Sequence, residues 1–193
     1  MKQQTLIVLK PDAVARGLVG EILHRFERVG LKIIAAKMVK VDRGLANKHY
    51  PEDRVEFIKG MGEKTLENYR GLGKSAVEEF GHEDPEKIGK IIRGWLVEMI
   101  SSGPVFACVL EGPHAVELVR KMCGHTLPFK AIPGTIRADY SYDSAAVANL
   151  SKRPIKNLIH ASGTLDEAQY EVALWFSESE LYSYKRTDEE VMK

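Results

Sequence analysis

Hydrophobic positions in this chain fall into short runs and helical stripes that alternate along most of its length. Residues 5–9 are a continuous apolar run, the pattern of a buried central strand, and Pro11 ends it. Val19, Ile22, Leu23 and Phe26 then recur at helical spacing, and Gly30 closes that helix. Residues 31–41 are rich in branched side chains and predict a second strand. Asp42 opens a short helical stretch that reaches Tyr50-Pro51. Residues 105–110 predict a third strand after Gly103-Pro104. Gly112-Pro113 then leads into a helix carrying Val116, Leu118, Val119 and Met122, stopped by Gly124. Residues 135–140 predict a fourth strand. A last helix, over about 164–176, starts at Thr164 and Glu167, the spacing of a capping box in which each side chain satisfies the other residue's backbone N–H. Its apolar stripe is Leu165, Ala168, Val172 and Trp175, with Glu171 on the stripe's border. The order β-α-β, β-α-β with an appended helix is the ferredoxin-like plan. It is an α+β fold with a four-stranded antiparallel sheet and helices on one face.

Two segments interrupt that plan. Residues 58–93 are a Gly- and charge-rich excursion with its own helix start at Asp84-Pro85, an N-cap followed by proline. Residues 141–156 are a long connection, a length that in compact domains often carries function. Removing most of 62–91 is expected to leave a folded protein. The last dozen residues are charged and read as a flexible tail.

The chain has 193 residues, which suits a single domain, 1–193, carrying the excursion and the long loop. Its formal net charge is +1, so no global field draws it to nucleic acid or membrane, and any anion site must be local. Its two cysteines, Cys108 and Cys123, form no C-x-x-C and exclude a cysteine-built zinc site. No apolar run approaches the ~18 residues of a membrane span, and the first residues lack the apolar core of a signal peptide, so a cytoplasmic location is expected.

The segment Asn157-Leu158-Ile159-His160-Ala161-Ser162 places one imidazole at the edge of an apolar run, just ahead of the capped helix. A carboxylate half-buried on that helix, Glu171, can fix the imidazole's tautomer and direction, which makes His160 a candidate nucleophile or general base. Taken alone, a histidine so placed is more often a core residue with a hydrogen-bond partner. Other residues change that balance. Lys10 stands at the end of the first strand, at the sheet rim where ligands commonly sit. Arg120, six residues before Thr126, and Arg137, after a glycine turn, add two guanidinium groups. Together these cations can neutralise a polyphosphate, provided the fold brings them to one place.

These pieces together resemble the nucleoside diphosphate kinases. The matching segments are Lys10-Pro11-Asp12, Gly17-Leu18-Val19-Gly20-Glu21-Ile22, His49-Tyr50, Ser102-Gly103-Pro104-Val105, Arg120 to Thr126, Pro133-Gly134-Thr135-Ile136-Arg137, the histidine segment, and Glu171 with Leu174-Trp175-Phe176. They cover nearly the whole chain outside the two interruptions. The resemblance implies transfer of the γ-phosphate of a nucleoside triphosphate to a nucleoside diphosphate by a ping-pong cycle through phosphohistidine at His160. It implies that Lys10 contacts the γ-phosphate and sugar and that Tyr50 packs by that lysine. Arg120, Thr126 and Arg137 would clamp phosphate, Asn157 would read the ribose hydroxyl, and Ser162 and Glu171 would support the histidine. Phe57 is the aromatic expected to stack on the base, and since stacking uses a π-face, purines and pyrimidines should both be accepted. Magnesium would arrive on the nucleotide phosphates, with no dedicated protein ligands. A hexamer or tetramer built from dimers is implied, with no dedicated nucleic-acid site.

The chain departs from the family at Ala161-Ser162-Gly163, where members commonly have Gly-Ser-Asp, so Gly163 lacks a carboxylate often present there. The excursion lengthens the lid beside the base site, and the 141–156 connection replaces a shorter family loop. Two other readings compete. One is a nucleotide-binding relative whose insertion blocks turnover. The other is a ferredoxin-like module for nucleic acid, which the near-neutral charge and the lack of paired strand aromatics oppose.

Overall fold

The computed structural model describes residues 2–187, 189 and 191. Along the chain run β1 (Lys2–Leu9), α1 (Pro11–Ala15), α2 (Val19–Arg28), β2 (Lys32–Lys40), α3 (Arg43–His49), α4 (Val55–Gly71), α5 (Ala76–Phe80), α6 (Pro85–Ser101), β3 (Pro104–Pro113), α7 (Ala115–Cys123), α8 (Ile136–Tyr140), α9 (Ala145–Leu150), β4 (Ile159–Ala161) and α10 (Leu165–Trp175). The four strands form one antiparallel sheet in the order β2-β3-β1-β4. The α+β, ferredoxin-like architecture with its four-stranded antiparallel sheet is as expected, but the helices expected on one face cover both, because β1 is apolar on its two sides.

β1 is apolar throughout because both of its faces are covered. Ile7 and Leu9 point into one core with Ile22 and Phe26 of α2 and Val119 of α7. Leu6 and Val8 point into the other, with Ala46 of α3, Val97 and Ile100 of α6, and Val172 and Trp175 of α10. Helices α2 and α7 cover the first face, while α3, α6 and α10 cover the second. Cross-strand partners share a face, and His160 of β4 lies opposite Val8, so its side chain belongs to the second face.

The predicted strand over 135–140 is instead α8, and the fourth strand is the three-residue β4. Ile136, Arg137 and Tyr140 fit helical spacing as well as strand spacing, and the local hydrogen bonds decide. Asp139 accepts from the Gly134 N–H, and the Asp139 N–H bonds back to the Thr135 carbonyl. The excursion is mostly helix, and α9 lies within the long connection. The tail is also less free than expected. The Tyr182 N–H donates to the Ile34 carbonyl, and the Lys32 ammonium meets Glu111 and Glu189, so the described tail residues lie along β2. Residues 188, 190, 192 and 193 lie outside the described residues. Among the described residues no helix is long and apolar enough to cross a membrane.

Candidate active site

The sheet rim at the ends of β1 and β4 gathers the candidate residues. Lys10 follows β1, and its backbone N–H donates to the Leu158 carbonyl at 2.8 Å. Leu158 has φ +69°, a left-handed conformation that costs a branched side chain roughly 1–2 kcal/mol. That strain is held in place, because the buried Leu158 also donates its N–H to the Asp12 carboxylate at 3.1 Å. The kink turns the chain into β4 and delivers His160 two residues later.

His160 faces Glu171. Its Nε2 lies 2.8 Å from Oε1 and 2.9 Å from Oε2 of that carboxylate. The Ser162 hydroxyl donates to Glu171 Oε2 at 2.6 Å, and accepts from the Leu6 N–H at 3.3 Å. Glu171 is buried rather than bordering its helix's stripe, whereas Leu165, placed in the stripe by its spacing, is 48% exposed. With Nε2–H given to the carboxylate, the imidazole's free lone pair is on Nδ1. Behind it, the ring of His49 meets the His160 ring edge-on at 4.4 Å, and Tyr50 meets His49 at 4.6 Å. Tyr50 thus reaches the His160 ring only through His49. The indole N–H of Trp175 donates to His49 Nδ1 at 3.3 Å.

Three cations surround this group, and each hydrogen-bonds neutral oxygens. The Lys10 ammonium donates to Asn157 Oδ1 at 2.7 Å, and the Asn157 amide donates to the Thr126 carbonyl at 2.9 Å. Arg137 is buried and donates to the carbonyls of Asn157, Gly124 and Ile159 at 3.2, 2.9 and 2.7 Å. A guanidinium carries five N–H groups, so these bonds leave two for a ligand. Arg120 donates to the Ala161 carbonyl at 3.5 Å. Burial and the neighbouring Arg137 lower the Lys10 pKa to about 8. Burial, then Lys10, Arg137 and Arg120, hold His160 down at about 3, so its neutral form prevails at pH 7. Burial raises Glu171, which His49 and the Ser162 hydroxyl oppose. Burial likewise raises Tyr50.

Lys10, Arg120, Arg137, Asn157, Ser162, Glu171 and His160 therefore meet at one place, and Thr126 joins them through its carbonyl. Phe57 stands apart, 47% exposed, with the Arg54 guanidinium 4.9 Å from its ring centre. Sequence reasoning gave no role to His49 or Asp12. His49 was visible beside Tyr50, and Asp12 beside Lys10, but only the packing of α3 and the Leu158 kink show what they touch. The capping box is half formed. Thr164 accepts from the Glu167 N–H at 3.2 Å, but the Glu167 carboxylate accepts from Gly163, one residue before the cap.

His49, His160 and Glu171 have potential ligand atoms all within 4.8 Å of one another. Magnesium takes oxygen ligands, and this set offers two imidazoles and a carboxylate already bonded to His160 and Ser162. The cluster does not fit magnesium.

The family model described as nucleoside diphosphate kinase matches residues 3–60 and 75–181. A nucleoside diphosphate kinase of Pyrobaculum aerophilum is 48% identical over 179 residues, covering 93% of this chain and 97% of the relative. A solved NDP kinase from Pyrobaculum aerophilum matches with a TM-score of 0.92 at 45% identity, over 95% of this chain and 100% of that one. A nucleoside-diphosphate kinase of Borrelia burgdorferi, a transition state mimic with bound vanadate and ADP, matches with a TM-score of 0.79 at 42% identity, over 97% of this chain and 95% of that one. A halophilic enzyme of Halobacterium salinarum in complex with CDP matches at 0.70 and 32% identity, over 100% and 99%.

Proposed function

The chain belongs to the nucleoside diphosphate kinase family and is a phosphotransferase, and from that premise we propose that it works by a ping-pong cycle through phosphohistidine at His160. The observation that carries this reading is the pairing of an oriented, neutral imidazole with three cations whose hydrogen bonds go to neutral oxygens. Positive charge left uncompensated at contact distance is what a polyphosphate needs.

The geometry supports the following steps. Glu171 holds Nε2–H, so the Nδ1 lone pair attacks the γ-phosphorus. The bond from that phosphorus to the β-bridging oxygen breaks, and the nucleoside diphosphate leaves with its electrons. A β-phosphate oxygen of a second diphosphate then attacks phosphohistidine, and the P–N bond returns its electrons to Nδ1. Phosphoryl transfer asks little covalent chemistry of other groups and much positioning and charge stabilisation, which Lys10, Arg120 and Arg137 would supply. Asn157 and Thr126 would bind the sugar and phosphates, with Ser162 and Glu171 fixing the histidine and Tyr50 bracing it from behind His49. Magnesium would enter bound to the nucleotide.

Phe57 would stack on the base. Relatives captured with ADP and with CDP support acceptance of both base classes. We place the enzyme in the cytoplasm, as a tetramer or hexamer built from dimers, to which exposed Phe129, Ile132 and Tyr142 offer apolar surface.

The test uses terminally labelled ATP with magnesium, followed by an unlabelled non-adenine diphosphate. Acid-labile, alkali-stable label on His160 that moves to the new triphosphate supports the cycle. Label that forms and stays would indicate a blocked relative, and bound nucleotide without label would overturn the mechanism. His160→Ala is expected to abolish transfer with nucleotide affinity nearly unchanged, as read by calorimetry. Loss of binding together with transfer would make His160 structural.

A further inference from the structure

The carboxylate missing at position 163 is present in space. A Cβ built on Gly163 would lie 2.5 Å from Glu167 Oε2 and 3.8 Å from an Arg120 guanidinium nitrogen. Glu167 thus fills the volume that a side chain at 163 would need. From the first turn of α10 its Oε2 accepts the Gly163 N–H at 2.7 Å, and its Oε1 meets the Arg54 guanidinium at 2.8 Å. Arg54 is the residue that opens α4, and its guanidinium lies over Phe57. One carboxylate therefore ties the backbone three residues past His160 to the helix that carries Phe57. It also forms one wall of a cavity of about 320 Å³ shared with His49, Arg54 and Glu171. A capping-box glutamate would turn back to the Thr164 N–H. Glu167 reaches one residue further, along a path that only a glycine at 163 leaves open.

We propose that Glu167 is a positioning residue for phosphoryl transfer: it takes the place of the absent acid at 163, fixes the loop after His160, and braces α4 against that loop through Arg54. This rests on His160 being the phosphorylated residue. The Arg54–Glu167 pair is partly exposed, at 46% and 21% of the side chains, and pairs of that kind add little to stability. The effect belongs in the reaction rather than in folding.

The experiment measures single-turnover phosphorylation of His160 by MgATP, with thermal unfolding in parallel, for wild type, Glu167→Ala, Glu167→Gln and the double variant Glu167→Ala/Gly163→Asp. Glu167→Ala is expected to lower kcat/KM about tenfold without lowering Tm, with Glu167→Gln in between because it keeps an acceptor for Gly163 N–H and loses the charge toward Arg54. The double variant puts a carboxylate back into the vacated volume and is expected to recover to within about threefold of wild type, a coupling that a purely structural role does not produce. Should the alanine variant fold poorly, the near-isosteric glutamine carries the test. Substitutions that leave kcat/KM within about twofold of wild type, or a folded double variant no faster than Glu167→Ala, overturn the proposal. An active wild type with an unaffected Glu167→Ala defeats this inference alone, whereas an inactive wild type defeats the functional reading and this inference with it.

Discussion

At the scale of single residues, the site is a problem of keeping one group neutral and its neighbours charged. An imidazole in water is half protonated near pH 6.5, and a protonated nucleophile has no lone pair to give. His160 avoids this because burial and three nearby cations hold its pKa at about 3. In the proposed cycle the attacking form is the base, so it is populated above that value and persists well into the acid range. Lys10 would work in the opposite sense, since the form that could hold a phosphate is the acid. With a pKa lowered to about 8, it loses charge as the pH rises through that value. Because kcat/KM reports groups of the free enzyme, it is expected to stay flat from about pH 5 to 7 and to fall above about 8. Lys10→Arg should remove the alkaline fall if the variant still turns over. An acid limb centred near 6.5 would show that His160 titrates like a solvated imidazole. Much of this set is legible in the sequence, because Asn157, His160 and Ser162 are neighbours, Lys10 follows a strand, Arg137 follows a glycine turn and Arg120 sits in the last turn of a helix that Gly124 stops. His49, Asp12 and Glu167 are not, because each acts across a contact that needs the fold: an edge-on ring, a left-handed leucine, an absent Cβ.

At the scale of elements, the helical stripes were legible and the short edge pieces were not. A stripe such as Val19, Ile22, Leu23 and Phe26 carries its period over several turns. β4 has three residues, too few for any period, and residues 135–140 satisfy two periods at once. The start of α6 was legible at Asp84-Pro85, where Asp84 caps the helix as expected, but the part its far half plays beside the site was not. Its Arg93 donates to the Tyr50 carbonyl at 2.7 Å, to Asn47 Oδ1 at 2.8 Å and to Glu52 at 2.7 Å. It thereby pins the end of α3, the segment that carries His49 and Tyr50 toward His160. Glu52 is 74% exposed at its side chain and adds little to the clamp. The carbonyl and amide are the costly partners to leave unpaired. Arg93→Met is expected to destabilise the protein by about 1–3 kcal/mol in urea denaturation and to slow His160 phosphorylation. Stability lost with full activity retained would mean that α3 keeps its place without the clamp.

At the scale of the whole molecule, the sheet has a core on each face, and a third, smaller core stands off it. Leu66, Tyr69, Ala76 and Ile88 form that satellite, entirely within α4, α5 and the start of α6. Val97 and Ile100, further along α6, belong instead to the sheet core. One helix therefore serves two cores, and composition alone could not show where the excursion stops being separable. The joint is a close crossing of α4 and α6. A Cβ at Gly89 would sit 2.0 Å from the Ile58 carbonyl oxygen, and one at Gly62 would sit 1.8 Å from that of Pro85. Both obstacles are backbone and cannot swing aside, so Gly89→Ala must push the helices apart. Overpacking of this kind costs about 1–3 kcal/mol. Native-state hydrogen exchange is expected to locate that loss in residues 62–92, and in α9, whose Asn149 carbonyl accepts from the Tyr69 hydroxyl at 3.5 Å. Amides of β1 and β3 should keep wild-type protection, because their cores do not include the crossing. Deletion of 62–91 removes every buried residue of the satellite together, so the remainder should still unfold in one cooperative transition. Uniform loss of protection in Gly89→Ala, spreading to β1 and β3, would mean that sheet and lid fold as one unit, and the deletion should then fail to fold.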